Sequence, residues 1–178
     1  MTQPESNIFH QVLNDFSLGI SDCAPILVHS TASAESDPTA ISLNAWTLKK
    51  QISAPRIVVT DFANAGGRDA WKRGIYAFVV CNFALVAFQD ALSVLKDVHH
   101  TLKAKGVAIV TCWKGEGLTS GEEELKELMD QAGWERGMVK VFERKEKPIT
   151  GCGAAGAGQR DLREAWIVLA KKWDELYG

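Results

Sequence analysis

The chain has 178 residues, 46% of them hydrophobic, four cysteines and a formal net charge of -2. That length and apolar fraction support one domain with a real core, spanning residues 1–178, and the charge supplies no basic footprint for nucleic acid or an anionic membrane surface. No apolar run approaches the roughly 20 residues of a membrane span, and the opening Met1-Thr2-Gln3-Pro4-Glu5-Ser6-Asn7 lacks the regions of a secretory signal, so a cytoplasmic protein with small-molecule partners, no nucleic acid and no membrane, is expected.

Ile8, Phe9, Val12, Leu13 and Phe16 recur at helical spacing ahead of Gly19, which predicts an amphipathic helix within residues 1–20 packing on the domain. Ile26-Leu27-Val28-His29 reads as the first strand. After a polar loop, Asp37 before Pro38 is an N-cap followed by proline at the first helical position, and Ile41, Ala45 and Leu48 carry the apolar stripe of that helix. Ile57-Val58-Val59-Thr60-Asp61 is the second strand, ending on a carboxylate, and only a short polar linker separates it from Tyr76.

Tyr76 to Trp113 is the centre of the chain. A β-branched and aromatic run is followed by a helix-period segment and a second β-branched run, Val107 to Thr111. Asp90 is the expected cap of the helix, Leu92, Leu95, Val98 and Leu102 its buried face, and Gly106 its stop. Ser120 and Glu123 form a capping-box pattern ahead of Leu125, Leu128, Met129 and Ala132, with Gly133 closing that helix. Val139 to Glu143 alternates as a half-exposed strand. The last strand, Trp166 to Ala170, is expected to pair with it antiparallel.

Several features read as structure rather than chemistry. Cys23, Cys81, Cys112 and Cys152 make no C-x-x-C pair and two lie inside expected strands, so buried thiols are expected. Gly151-Cys152-Gly153-Ala154-Ala155-Gly156 matches a dinucleotide-binding glycine pattern but lacks the strand before it and the βαβ unit after it. His99 and His100 are adjacent, so a helix splays them about 100° apart and they cannot share a metal; no metal site is expected. His29 at the tip of the first strand is a candidate base, because strand ends of an open parallel sheet face the ligand crevice.

In order, these elements resemble the class I S-adenosylmethionine-dependent methyltransferase family, of the small-molecule type found in fungal secondary metabolism. Val59-Thr60-Asp61-Phe62 resembles the family's second-strand end, Val79-Val80-Cys81-Asn82-Phe83-Ala84-Leu85 the motif after its fourth strand, and Leu95 to Thr111 the helix and turn before its fifth. The resemblance implies a Rossmann-like α/β fold: a mostly parallel sheet of about six strands with an antiparallel last strand. The interval between Asp61 and Ile75 is too short for the family's next strand and helix, so one edge strand and its helix are missing.

The implied cofactor is S-adenosylmethionine, with Asp61 accepting from the ribose hydroxyls and Phe62, Ser30, Thr31, Ala32, Cys81, Asn82 and Phe83 around it. Family members carry a glycine turn after the first strand; His29 to Ser36 contains no glycine. Trp113, just past the fifth strand, is the residue expected to face a substrate. The implied activity is O- or N-methylation of a small secondary metabolite. Two alternatives keep the fold: a protein that no longer methylates and promotes a cyclisation or isomerisation, and a non-catalytic partner subunit. A homodimer or another chain at the exposed sheet edge is the expected mode of association.

Overall fold

The structure, a computed structural model, describes residues 26–30, 57–61, 73–82, 90–115, 121–146 and 163–173. The helices expected near residues 8–16 and 38–48, the linker after Asp61 and the Gly151–Gly156 segment lie outside the described residues.

Six strands, each rich in β-branched or aromatic residues, pair into one sheet. They are β1 (Ile26–Ser30), β2 (Ile57–Asp61), β3 (Tyr76–Asn82), β4 (Leu102–Trp113), β5 (Val139–Glu146) and β6 (Arg163–Lys171), in the spatial order β2-β1-β3-β4-β6-β5. β2, β1, β3 and β4 are mutually parallel, and β6 runs against both of its neighbours. This is the expected sheet of six strands with its reversed last strand, and among the described residues β2 is an edge of it. Helices α1 (Ala91–Thr101) and α2 (Glu122–Gln131) connect β3 to β4 and β4 to β5.

Register explains why these strands read as unbroken apolar runs. Leu27, Val79, Ala108 and Ala170 align across four strands, and Cys81, Val110 and Val168 form the next such row but one. These rows pack with Val94, Leu95 and Val98 of α1, Leu125 and Met129 of α2, and Trp134 in one core cluster. The alternate residues Val28, Phe78, Val80, Ile109 and Ile167 are also buried. A sheet enclosed on both faces has no need of polar alternation. Fully enclosed Leu27, Leu95, Leu102 and Ile109 each contribute about 1.5–3 kcal/mol relative to exposure.

Both helices begin at the edge of the sheet formed by the carboxyl ends of the parallel strands, hereafter the upper edge, and run down to the lower one. Asp90 caps α1 as expected, its Oδ1 accepting from the Ser93 amide at 3.0 Å. The end of α1 differs from expectation: the helix stops at Thr101, and Leu102 is extended and pairs with Tyr76. Tertiary partners take the terminal carbonyls. Those of His100 and Thr101 accept from the Gly74 and Ile75 amides at 2.9 and 3.1 Å, and those of His99 and Leu102 accept from the Lys172 ammonium, both at 3.1 Å. The ladder then slips, since Tyr76 pairs with Leu102 but Phe78 with Val107, and the chain bulges through Lys103 to Gly106 with Lys105 at φ 62°. Gly106 is therefore a close-approach glycine rather than a helix stop: a Cβ there would lie 2.9 Å from both Leu102 Cδ2 and the Lys103 carbonyl oxygen.

The start of α2 also departs from the expected capping box. Gly121 is its N-cap, no side chain caps it, and Glu123 instead pairs with Lys126 at 3.2 Å and Arg136 at 2.7 Å. Glu122, Glu123 and Glu124 in the first turn supply the charge that favours a helix N-terminus. The expected stop holds. Gly133 adopts φ 95°, its amide donates to the Asp130 carbonyl at 2.9 Å and the Trp134 amide to that of Met129 at 3.1 Å, which is the Schellman closure.

Candidate functional site

In an open parallel sheet the crevice for a ligand lies beyond the carboxyl ends of the strands. At that edge β1 and β2 end side by side, with Ser30 in register with Asp61. His29 is in register with Cys81 and Asn82 with Thr111, so one step beyond the last β1–β3 pair the backbone row runs Asp61, Ser30, Asn82, Thr111. Three neighbouring strands, β2, β1 and β3, thus finish on polar residues in a single row, which β4 crosses at Thr111 before ending on Trp113. A carboxylate, a hydroxyl and an amide are acceptor and donor types of the kinds a polyhydroxylated ligand requires, whereas Thr111 is buried.

The structure brings Asp61, Ser30 and Asn82 together at this edge and sets His29 one residue below it, between Thr60 and Cys81. Thr31, Ala32, Phe62 and Phe83 lie outside the described residues. Cys81 is fully enclosed in the helix-covered core, where burial pushes its thiol far up from the usual range. Its side chain is given to packing. Cys112 is likewise buried and free, its thiol pushed up to about 11 by burial. Trp113 is the last residue of β4, opposite Ala165, and is 7% exposed, so little of its ring is open to a substrate.

Sequence reasoning missed two parts of this edge. Thr111, buried and in line with Asn82, extends the row to a fourth strand; its signal was its position at the end of an apolar run, two residues before the tryptophan that drew attention instead. The second is a charge network beside the row. Lys114 Nζ lies 3.0 Å from Glu143 and 2.9 Å from Glu164, Glu164 also meets Lys145 at 2.8 Å, and the Lys114 ammonium stands 5.2 Å from the centre of the Trp166 ring. The hydrogen bonds from Lys145 and Lys114 hold the Glu164 carboxyl down at about 2. No local pattern links residues so far apart in the chain.

The two adjacent histidines behave differently. His99 meets the buried Trp134 edge-on with ring centres 4.9 Å apart, and His100 is exposed. Among the described residues no group of three or more His, Cys, Asp or Glu side chains gathers as a metal site, and no helix is long and apolar enough to cross a membrane.

At the level of sequence, neither a protein family nor a curated protein matches the chain. Solved structures do resemble it. It is similar to a SAM-dependent methyltransferase from Archaeoglobus fulgidus, with 10% identity, 94% of each chain covered and a TM-score of 0.60. It is also similar to the YcgJ protein from Bacillus subtilis, with 8% identity, 93% of this chain and 98% of that one covered, and a TM-score of 0.59. The third is the 1,6-didemethyltoxoflavin-N1-methyltransferase of Burkholderia thailandensis, solved with 1,6-didemethyltoxoflavin and S-adenosylhomocysteine, at 15% identity over 97% of this chain and 78% of that one, with a TM-score of 0.53. At such identities the likeness is one of fold: the chain has the Rossmann-like methyltransferase architecture.

Proposed function

We propose that this protein is an S-adenosylmethionine-dependent methyltransferase that modifies an O or N nucleophile of a small secondary metabolite, working as a single cytoplasmic domain. The observation that carries the reading is the polar row at the upper edge, with a carboxylate at the end of β2 directly beside the end of β1. That donor set fits the cofactor. A carboxylate is an acceptor-only group suited to two ribose hydroxyls at once, which gives Asp61 its role. Ser30, Thr31 and Ala32 are residue types small enough for the chain to pass close to a ligand without glycine, and Phe62, Asn82 and Phe83 are the further residues assigned to the cofactor.

The cofactor, when bound, supplies a methyl group already electrophilic on a sulfonium. Two roles are then left to the chain's own residues, holding the acceptor in line and accepting its proton. His29, one residue below the row, is the proposed proton acceptor, an imidazole nitrogen being able to take a proton from an O or N nucleophile. A second reading, a partner subunit or homodimer joined through the sheet edge, is favoured by β2, whose outer side pairs with no strand among the described residues.

Calorimetric titration with S-adenosylhomocysteine tests the first reading. Heat of binding is expected, with a melting temperature that climbs with ligand, since occupancy at a hundred times Kd stabilises the native state by about 2.7 kcal/mol. No heat and a fixed melting temperature at millimolar ligand would remove it, and co-purification with a tightly bound second chain would then favour the partner role.

A further inference from the structure

The lower edge of the sheet gathers three segments far apart in the chain. Residues 73–75, 99–106 and 171–173 are tied to one another by the hydrogen bonds that close α1, by the Lys105 amide on the Lys172 carbonyl at 3.1 Å, and by the Lys172 amide on the Gly106 carbonyl at 2.9 Å. Arg73, Lys103 and Lys171 are exposed there, and none of the described residues of these three segments is acidic, Asp174 and Glu175 following Trp173 in the sequence. The two large apolar side chains most open to solvent among the described residues, Ile75 at 41% and Trp173 at 50%, belong to the same knot. A chain of net charge -2 thus presents a local surface of cations around an exposed indole and an exposed isoleucine.

From this juxtaposition we propose that the lower edge docks on an anionic membrane surface. The carbonyls of His99, His100, Thr101 and Leu102 and the amides of Gly74, Ile75, Lys105 and Lys172 are all engaged within the knot. Backbone pairing with an added peptide strand has nothing to attach to at these groups. What the surface offers is side-chain charge and apolar area, the two terms that drive adsorption to a bilayer interface: lysine and arginine meet acidic headgroups, and tryptophan settles at headgroup depth. The upper edge lies at the opposite ends of the strands, so this docking stands or falls independently of the proposed methyltransferase activity.

The test is cosedimentation of the full chain with vesicles of equimolar phosphatidylserine and phosphatidylcholine, against vesicles of phosphatidylcholine alone. Binding to the first and not the second is expected, weakening as salt is added. The double variant Lys103→Glu, Lys171→Glu should lower partition by about twentyfold or more, since each cation near such a surface counts roughly fivefold. Trp173→Ser should lower it separately, and both variants should keep the wild-type melting temperature. Absence of binding to the acidic vesicles overturns the proposal, as does a double variant that partitions like wild type. Retention on polyglutamate without vesicle binding also overturns it and assigns the surface to an acidic protein segment.

Discussion

The two edges of the sheet are built on opposite plans. At the lower edge, main-chain groups from three distant segments hydrogen-bond to one another and close the end of α1. At the upper edge, β2, β1 and β3 end in a row of Asp61, Ser30 and Asn82 with Thr111 of β4 in line, and the far side, around Lys114 and Glu164, is braced by ion pairs. The contrast teaches where stability and chemistry reside. The lower edge and the helix-covered core beside it set the fold, and the carboxyl ends of the strands are left to display functional groups, as an open parallel sheet allows.

That division can be broken from below. Trp134→Ala removes a fully buried indole from the cluster between α1, α2 and β5, and should cost about 3–5 kcal/mol in a urea unfolding curve. Gly106→Val forces a side chain against Leu102 and the Lys103 carbonyl and should cost about 1–3 kcal/mol by the same measurement. Asp90→Ala, which unties only the first turn of α1, should cost about 1 kcal/mol.

The smallest effect lies on the braced side of the upper edge and depends on pH. Glu164 has its carboxyl lowered from the usual 4.5 to about 2 by Lys145 and Lys114. A depressed carboxyl stabilises the native state fully above its unfolded value and loses that contribution as pH falls toward its folded one. Wild type should therefore lose stability between about pH 4.5 and pH 2, and Glu164→Gln should flatten that slope in thermal melts, melting slightly below wild type at pH 7 and converging on it near pH 2. An unchanged acid slope would show that the network is spread over its other members.

Most of the architecture was legible because its signals are local. Val59 to Asp61, Val79 to Asn82 and Val107 to Thr111 announce buried parallel strands by composition, and Asp90 and Gly133 punctuate the helices by residue type. The errors arose where a distant partner decided the outcome. Leu102 continues the apolar stripe of α1, yet it leaves the helix because Gly74, Ile75 and Lys172 take the carbonyls around it. Glu123 sits at a capping position, yet Lys126 and Arg136 compete for its carboxylate. The cationic lower surface is invisible in the chain's overall charge for the same reason: Arg73, Lys103 and Lys171 meet only after folding. Of the candidate site, Asp61 and Asn82 could be read from their places at strand ends, whereas Thr111 joined them only once register aligned it with Asn82.

The central claim is that the polar row at the upper edge holds a nucleoside through Asp61, and a matched pair of titrations tests it. S-adenosylhomocysteine is titrated into wild type and Asp61→Asn, with urea midpoints recorded for both proteins. Replacing a charged acceptor of two hydroxyl bonds should raise Kd by about tenfold to a hundredfold with the midpoint unchanged. Equal affinity in the two proteins would contradict the account and leave the architecture without its cofactor.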